Sequence, residues 1–358
     1  MGERTGPLHE RHVALGAAMT DFGGWLMPLH YGSVLAEHRA VREDCGVFDV
    51  SHLGRLLVRG DGADAAVSAV LTNDVAALAP GRAQYSLCLD EAGGIVDDVL
   101  VYRLTGGWSD GLLVVPNAAN AAAVAERLRH AAPAGTQVRD VQDELACLAV
   151  QGPRSAEVVE AIGIPVARYG YLDCFDMAGA GVVARSGYTG ERGYELFCLA
   201  EHAPVVWDRL LAAGAAPAGL GARDTLRLEM GYPLHGSDIG PGTSPVEAGL
   251  TWAVKGEHDF TGRAAYEAAK AAGPRRRLRG VRVEGRGIPR AHCAVWRGGE
   301  RVGELTSGTF SPTLGVGIGM GYLAAGVDVG ARVEIEVRGK RLPAAVVAPP
   351  FVDRNPRT

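Results

Sequence analysis

The feature that most constrains the fold is an order of periodicities that occurs twice. From Arg55 to Val58, and again from Tyr85 to Leu104, the residues follow a strand pattern, and Ala63 to Leu71 between them has helical spacing. Leu112 to Val115 reads as a further strand and leads into an alanine-rich helix, Ala118 to His130. The segment from Cys147 repeats that order: strand CLAVQG, helix Ser155 to Ile162, strands around Gly181 to Ala184 and Tyr194 to Leu199, then helix Pro204 to Ala213. Strand, helix, strand, strand, helix suggests a split βαβ unit, ferredoxin-like in build. The expectation is an α+β protein with two similar, intertwined lobes.

After Trp252 the texture changes. A helix from Gly262 to Ala272 and the basic run PRRRLRGVR, Pro274 to Arg282, precede short alternating runs with glycine-rich turns up to Val347. That pattern predicts a small C-terminal β-barrel, jelly-roll-like. A boundary between 256 and 278 follows, with residues 5–256 forming the two lobes and residues 275–352 the barrel. The basic run reads either as a solvated linker or as a docking patch.

Composition serves here to exclude. With 47% hydrophobic and 22% charged residues the chain is a folded globular protein and not a disordered tail. A net charge of −5 argues against non-specific binding to nucleic acid or to a membrane surface. The N-terminal MGERTGPLHERH lacks the form of a signal peptide, and no apolar run has the length of a membrane span, so cytoplasmic residence is expected. The six cysteines sit mostly inside apolar runs such as SLCLD, with no metal-ligand spacing, and the ten histidines include no HExxH. Reduced thiols and no bound metal are the expectation. His52, in FDVSH, reads first as a hydrogen-bonded core histidine.

Four stretches hold chemistry. SGYTGERGYE, Ser186 to Glu195, is too glycine-rich and polar for ordinary core, yet a buried-looking strand follows it at once. Its glycines allow positive φ and close approach of a ligand, while Tyr188, Tyr194, Glu191 and Glu195 offer aromatic faces and anions; a hairpin turn with solvated acids is the alternative. GGIVDDVLVY places Asp97 and Asp98 at the mouth of an apolar strand. Successive side chains on a strand point to opposite faces, so the two cannot face the same cavity, and one is functional while the other is structural. Unpaired burial raises a carboxyl pKa, which suits proton handling or stabilising a cation; a turn aspartate capping amides is the alternative. GLGARDTLRLEMGYPLHG reads as a helix with Arg223 and Arg227 on one face, either forks for a ligand or surface ion pairs. LTSGTFSPTLGVGIGMGY reads as a glycine- and hydroxyl-rich β segment, and none of the stretches contains a phosphate loop or a dinucleotide fingerprint.

Taken with DFGGWLMPLHY, CGVFDVSH, AQYSLCLDEAGGIVDDVLVY, VVPNAAN, LAVQGPRS, SPVEAGLTWAVK and LTSGTFSPTLG, these stretches resemble the T-protein family, the aminomethyltransferases of the glycine cleavage system, over nearly the whole chain. The resemblance implies a three-lobed cloverleaf around a central folate site. It implies a transfer of the aminomethyl carbon from the dihydrolipoyl arm of an H-protein carrier to tetrahydrofolate. The products would be 5,10-methylenetetrahydrofolate, ammonia and the reduced carrier.

Residue by residue, the resemblance places the catalytic acid at Asp98 and the acceptor for the pterin edge at Glu195. It places Tyr85 and Tyr188 in the pocket wall, Asn117 as a polar folate contact, Arg223 in the folate site with Tyr232 nearby, and Arg290 near the entrance used by the lipoyl arm. Family members often end in an aromatic tail that reaches the folate, whereas PPFVDRNPRT has no tyrosine after Phe351, which puts that contact in doubt. Two alternatives share the lobes: a folate-dependent N-, O- or S-demethylase, and a non-catalytic folate-binding protein of iron–sulfur assembly. The cysteine-bearing KGC and GQE motif of the latter relatives is absent here.

Overall fold

The computed structural model describes residues 4–106, 110–177 and 181–357. The first lobe is a five-stranded antiparallel sheet in the order Arg82–Leu89, Ile95–Leu104, Gly111–Val115, Leu56–Arg59, Gln137–Asp140. Helices Ala63–Val70 and Ala121–Ala131 cover one face, where Val67, Val70, Val124 and Leu128 meet Leu56, Val99, Val101 and Val114. The stretch expected as one strand from Tyr85 to Leu104 is a hairpin, divided by the turn at Gly93 and Gly94.

The second sheet runs Cys174–Asp176, Gly181–Ala184, Gly193–Leu199, Leu145–Gln151, Gly46–Asp49, Ala216–Pro217. It repeats the first lobe's connection order, with Gly46–Asp49 from ahead of the first lobe inserted beside Leu145–Gln151, so the lobes are intertwined. Helices Ser155–Ala161 and Ala203–Ala212 cover its outer face through Val158, Val159, Trp207 and Leu210.

The helix-free faces of the two sheets pack on each other. Leu57, Tyr102, Leu113 and Val115 of one share a core with Phe48, Cys147, Ala149 and Phe197 of the other. Alternation decides this: Phe48 enters the inner core and Val47 the outer one, as expected of neighbours on a strand. The result is helix, sheet, sheet, helix.

Helix Leu220–Glu229 plugs the inner layer with Ala222 and Leu226. The barrel is closed, in the order Arg276–Val283, Val316–Ala324, Glu300–Ser311, Ala294–Arg297, Arg332–Val337, Lys340–Val347. The basic run is therefore its first strand, neither a linker nor a free patch throughout: Arg276 is tied to Glu247 and Arg279 faces Asp328, while Arg275 and Arg277 are exposed.

A buried ionic seam joins barrel to lobes. Glu229 accepts from Arg42 Nη2 at 2.8 Å, Ser311 Oγ at 2.5 Å and Thr313 Oγ1 at 2.8 Å. Burial opposes its ionisation, but hydrogen bonds from His38 and Ser311 and the charge of Arg42 outweigh burial and hold its carboxyl down to about 2.

Candidate functional site

The strand Ile95–Leu104 carries one end of the site. Asp98, Leu100 and Tyr102 share the face turned to the second sheet, and Asp97 points to the helix side with Val99 and Val101. The Leu100 to Val115 pairing, continued, sets Asn117 opposite Asp98. Asn117 then reaches both acids: its Nδ2 lies 2.9 Å from Asp98 Oδ1 and 2.8 Å from Asp97 Oδ1, and its backbone N–H donates to Asp97 Oδ2 at 3.0 Å.

Asp97 is fully buried and serves structure, also accepting from Asn120 Nδ2 at 2.8 Å. Asp98 is half-buried and accepts from the Tyr85 hydroxyl at 3.1 Å. Burial pushes the Asp98 carboxyl up, and the hydrogen bonds of Tyr85 and Asn117, with His235 when its ring is protonated, oppose that shift without cancelling it.

Glu195 lies at the other end. Its neighbours across the sheet are Ala184 and Ala149, whose short side chains leave room for a carboxylate in the inner core. Both described hydrogen bonds to it end on Oε2, from Tyr102 at 3.0 Å and from Ser186 at 2.5 Å. Tyr102 stands four residues after Asp98 on the same face, so one strand joins the two ends.

The glycine-rich loop divides its chemistry. Gly190 alone of its three glycines has positive φ, 82°. At Gly187 and Gly193 a Cβ would stand within 2.0 and 2.2 Å of the Gln151 amide, whose Nε2 donates to the Ser186 carbonyl at 3.1 Å. Glycine there permits close packing, not ligand approach. Tyr188 and Glu195 reach the site, whereas Tyr194 is buried on the outer face and Glu191 pairs with Arg42 at 2.9 Å.

The two arginines of helix Leu220–Glu229 separate as well. The helix ends at Glu229, short of the stretch expected, and lies between lobes and barrel. Arg227 is a structural ion pair, with Asp238 at 2.5 Å and Ser307 Oγ at 2.8 Å. Arg223 places its guanidinium 4.7 Å from the Tyr188 ring centroid, and its Nη1 is buried without a hydrogen-bond partner among the described residues. Desolvation lowers its pKa, and the negative charge of Glu195 opposes that. Tyr188 stacks on Tyr232 at 5.7 Å and donates to the Pro233 carbonyl at 2.5 Å.

Tyr85, Asp98 and Asn117 thus form one contact group and Tyr188, Arg223 and Tyr232 a second, while Glu195 joins the strand of Asp98 through Tyr102. Arg290 is not among them: it is exposed on the barrel and donates to the Gly308 carbonyl at 3.3 Å. The tail lacks the tyrosine, yet Arg354 lies 3.4 Å from Glu191 and the Arg357 guanidinium 5.8 Å from the ring centroid of Tyr171.

Sequence reasoning passed over Tyr102, Asn120, His235 and Trp252, whose ring stacks on Tyr85 at 5.1 Å. Tyr102 was signalled by its spacing from Asp98; Trp252 has no such signal. His52 is core, but its Nδ1 has no hydrogen-bond partner among the described residues, and burial, with the charge of Arg223, holds its pKa down at about 3. Among the described residues no group of three or more His, Cys, Asp or Glu is arranged to hold a metal.

A paired-sheet body closed by a barrel, with acids, an orphaned guanidinium and stacked tyrosines beside its inner core, has the build of a protein with a small-molecule site between its parts. Residues 8–258 match the GCVT N-terminal domain, and residues 276–353 match the glycine cleavage T-protein C-terminal barrel domain. An aminomethyltransferase of Mycobacterium bovis is 51% identical over 357 residues, covering 97% of this chain and 96% of that protein. One of Frankia alni is 52% identical over 365 residues, covering 99% of each. The crystal structure of the glycine cleavage system aminomethyltransferase T from Bartonella henselae superposes with a TM-score of 0.93 at 36% identity, covering 99% of both chains. The chain belongs to the glycine cleavage T-protein family, and it is an enzyme, an aminomethyltransferase.

Proposed function

We propose that this enzyme moves a one-carbon unit from the aminomethyl-dihydrolipoyl arm of an H-protein to tetrahydrofolate, yielding 5,10-methylenetetrahydrofolate and ammonia, in glycine catabolism. The observation that carries the reading is the Asp98 to Tyr102 to Glu195 line: a half-buried acid on one strand face and, bonded to the tyrosine four residues along that face, a buried acid of the facing sheet. The residues fit a reduced pterin. Glu195 has Oε1 outside its described hydrogen bonds, Arg223 has an unused donor, and Tyr188 and Tyr232 present a stacked aromatic wall.

Glu195 would accept from the amino-pyrimidine edge, and Tyr85, Tyr188, Asn117, Arg223 and Tyr232 would hold the folate in place. Asp98 would hold negative charge beside the carbon being transferred and exchange protons with the reacting nitrogens. Two opposite charges about 4 Å apart at an effective dielectric near 20 attract by about 4 kcal/mol, enough to matter in a transition state. Holding the two reactants in register supplies the remainder. Residues 5–256 would form the folate-binding region and 275–352 the barrel. Arg290, exposed on the barrel, would stand toward the incoming arm. Six unpaired cysteines suit a reducing compartment, the cytoplasm, and no helix among the described residues is long and apolar enough to cross a membrane.

The test is turnover with tetrahydrofolate and aminomethyl-loaded, lipoylated H-protein, run beside Asp98→Asn. Turnover with this donor and a large loss in the variant are expected. Turnover with methylated small molecules in place of the carrier would overturn the reading.

A further inference from the structure

Asn120 holds two groups at once. Its Nδ2 lies 2.8 Å from Asp97 Oδ1 and 3.0 Å from His235 Nδ1. His235 Nε2 in turn lies 3.2 Å from the carbonyl oxygen of Ile95. A carbonyl only accepts, so Nε2 carries the ring proton and Nδ1 is left to accept from the amide. With its two hydrogens spent on carboxylate and imidazole, the Asn120 amide fits one proton state: neutral His235 and ionised Asp97.

A proton added to Nδ1 would set one donor against another. Turning the amide over relieves that clash and presents Oδ1 to both neighbours. Oδ1 against an ionised carboxylate is then acceptor against acceptor, which a buried site tolerates poorly. Asp97 must therefore take a proton in the same event.

We propose that Asn120 couples the protons of His235 and Asp97, and that His235 is thereby a positioning residue for Asp98. Asp97 grips the backbone N–H and the Nδ2 of Asn117, and that same Nδ2 donates to Asp98. Protonating Asp97 loosens the grip, so proton uptake at His235 is felt at Asp98. Apart from Asp98, the ionisable groups around His235 keep one charge state through this exchange. The phenols of Tyr85, on Asp98, and Tyr188, on the Pro233 carbonyl, are pushed up by burial and stay protonated. Asp238, which accepts from the Leu234 N–H, is neutralised by Arg227. A cationic His235 favours ionised Asp98, and the charge of Asp98 in turn raises the carboxyl of Asp97, which favours the second proton there.

The inference rests on the proposed function only for the role of Asp98, so its test uses the free protein. Carboxyl-carbon and imidazole resonances of the full chain are followed against pH in the native protein, Asn120→Ala and His235→Gln. In the native protein His235 and Asp97 titrate at a common midpoint, with a slope approaching about two protons, as coupled sites do. In Asn120→Ala they separate into two single-proton steps, and in His235→Gln the Asp97 step falls to one proton. The acidic limb of turnover flattens in the same two variants. Native titrations that are already independent, or an Asn120→Ala curve identical to the native one, overturn the coupling. A coupled titration in a protein with no aminomethyl transfer would leave the coupling standing and count against the proposed function instead.

Discussion

Tyr102 and Glu195 tie the two inner sheets together: the phenol of one donates to Oε2 of the other over 3.0 Å, inside the shared core. Asp98 stands four residues earlier on the same strand face, about 13 Å away at roughly 3.3 Å per residue. The tie therefore fixes one end of a span whose other end is the acid. A ligand touching both would be long and would lie along the strand.

Tyr102→Phe removes the tie and leaves Glu195 with Ser186 alone. Losing one buried hydrogen bond to a charged acceptor costs about 1.5–3 kcal/mol. The expected outcome is a lower melting temperature and a tetrahydrofolate dissociation constant raised about tenfold, with kcat little changed. Calorimetric titration beside steady-state kinetics checks it. An unchanged affinity would remove Glu195 from the binding site.

How much of this was legible depends on which physics fixed it. The doubled order of strands and helices could be read because alternation and helical spacing are local. The stacking of the sheets could not, since Phe48, Cys147 and Val115 look as apolar as residues facing helices. Nor could the insertion of Gly46–Asp49 beside Leu145–Gln151, a pairing across a hundred residues of chain. The division of Asp97 from Asp98 followed from strand alternation, but Asn117 touching both depends on a register that only the folded sheet sets. Arg223 and Arg227 look equivalent in sequence. They differ because Asp238 and a barrel residue, Ser307, meet only the second.

That difference is measurable. Arg227→Met leaves Asp238 buried and unpaired, a change that costs about 3–5 kcal/mol. Arg223→Met removes a desolvated guanidinium with an unused donor, so stability should hold or rise while tetrahydrofolate affinity falls about tenfold, the worth of one hydrogen bond to a charged group. Denaturant unfolding and ligand titration on both variants decide it. A stability loss in Arg223→Met matching that in Arg227→Met would make both arginines structural.

Asp98 should be costly to the fold. Burial raises its carboxyl in the folded state, so between the ordinary carboxyl value and that raised value the folded protein binds more protons than the unfolded one. Stability contributed by this group therefore falls as pH rises through that window. Asp98→Asn removes the cost: the melting temperature should rise at pH 7 and by less near pH 4, while kcat drops by a factor on the order of 100–1,000. A variant that is both destabilised at neutral pH and active would contradict the assignment twice.

His52 gives the opposite slope. Burial holds it from the ordinary 6.5 down to about 3, so in that window the unfolded chain binds the proton and the folded one does not. Stability must then fall as pH falls from 6.5 toward 3, by up to about 1.4 kcal/mol per pH unit from this residue. His52→Gln should flatten the acid limb of the stability curve by that amount. Unfolding midpoints at stepped pH would show it, and an unaltered slope would mean that the imidazole is protonated in the folded state.

Docking of an acidic carrier is expected at the barrel seam. Arg275 and Arg276 line an open cleft of about 510 Å³ with Arg301 and Tyr322. Arg276 is committed to Glu247, Arg301 to Glu304 and Arg279 to Asp328, which leaves exposed Arg275 and Arg277 as the charges able to greet a partner. With a net charge of −5 the chain as a whole repels an acidic protein, so attraction has to be local and sensitive to salt. Arg275→Glu with Arg277→Glu should raise the apparent constant for H-protein several-fold and leave tetrahydrofolate affinity alone, since no described hydrogen bond or ion pair joins either residue to Asp98, Glu195 or Arg223. Raising the salt concentration should do the same to the native protein and much less to the variant. If the double variant and the native enzyme share one carrier constant at low salt, the carrier docks elsewhere, and the exposed Arg290 becomes the next residue to reverse.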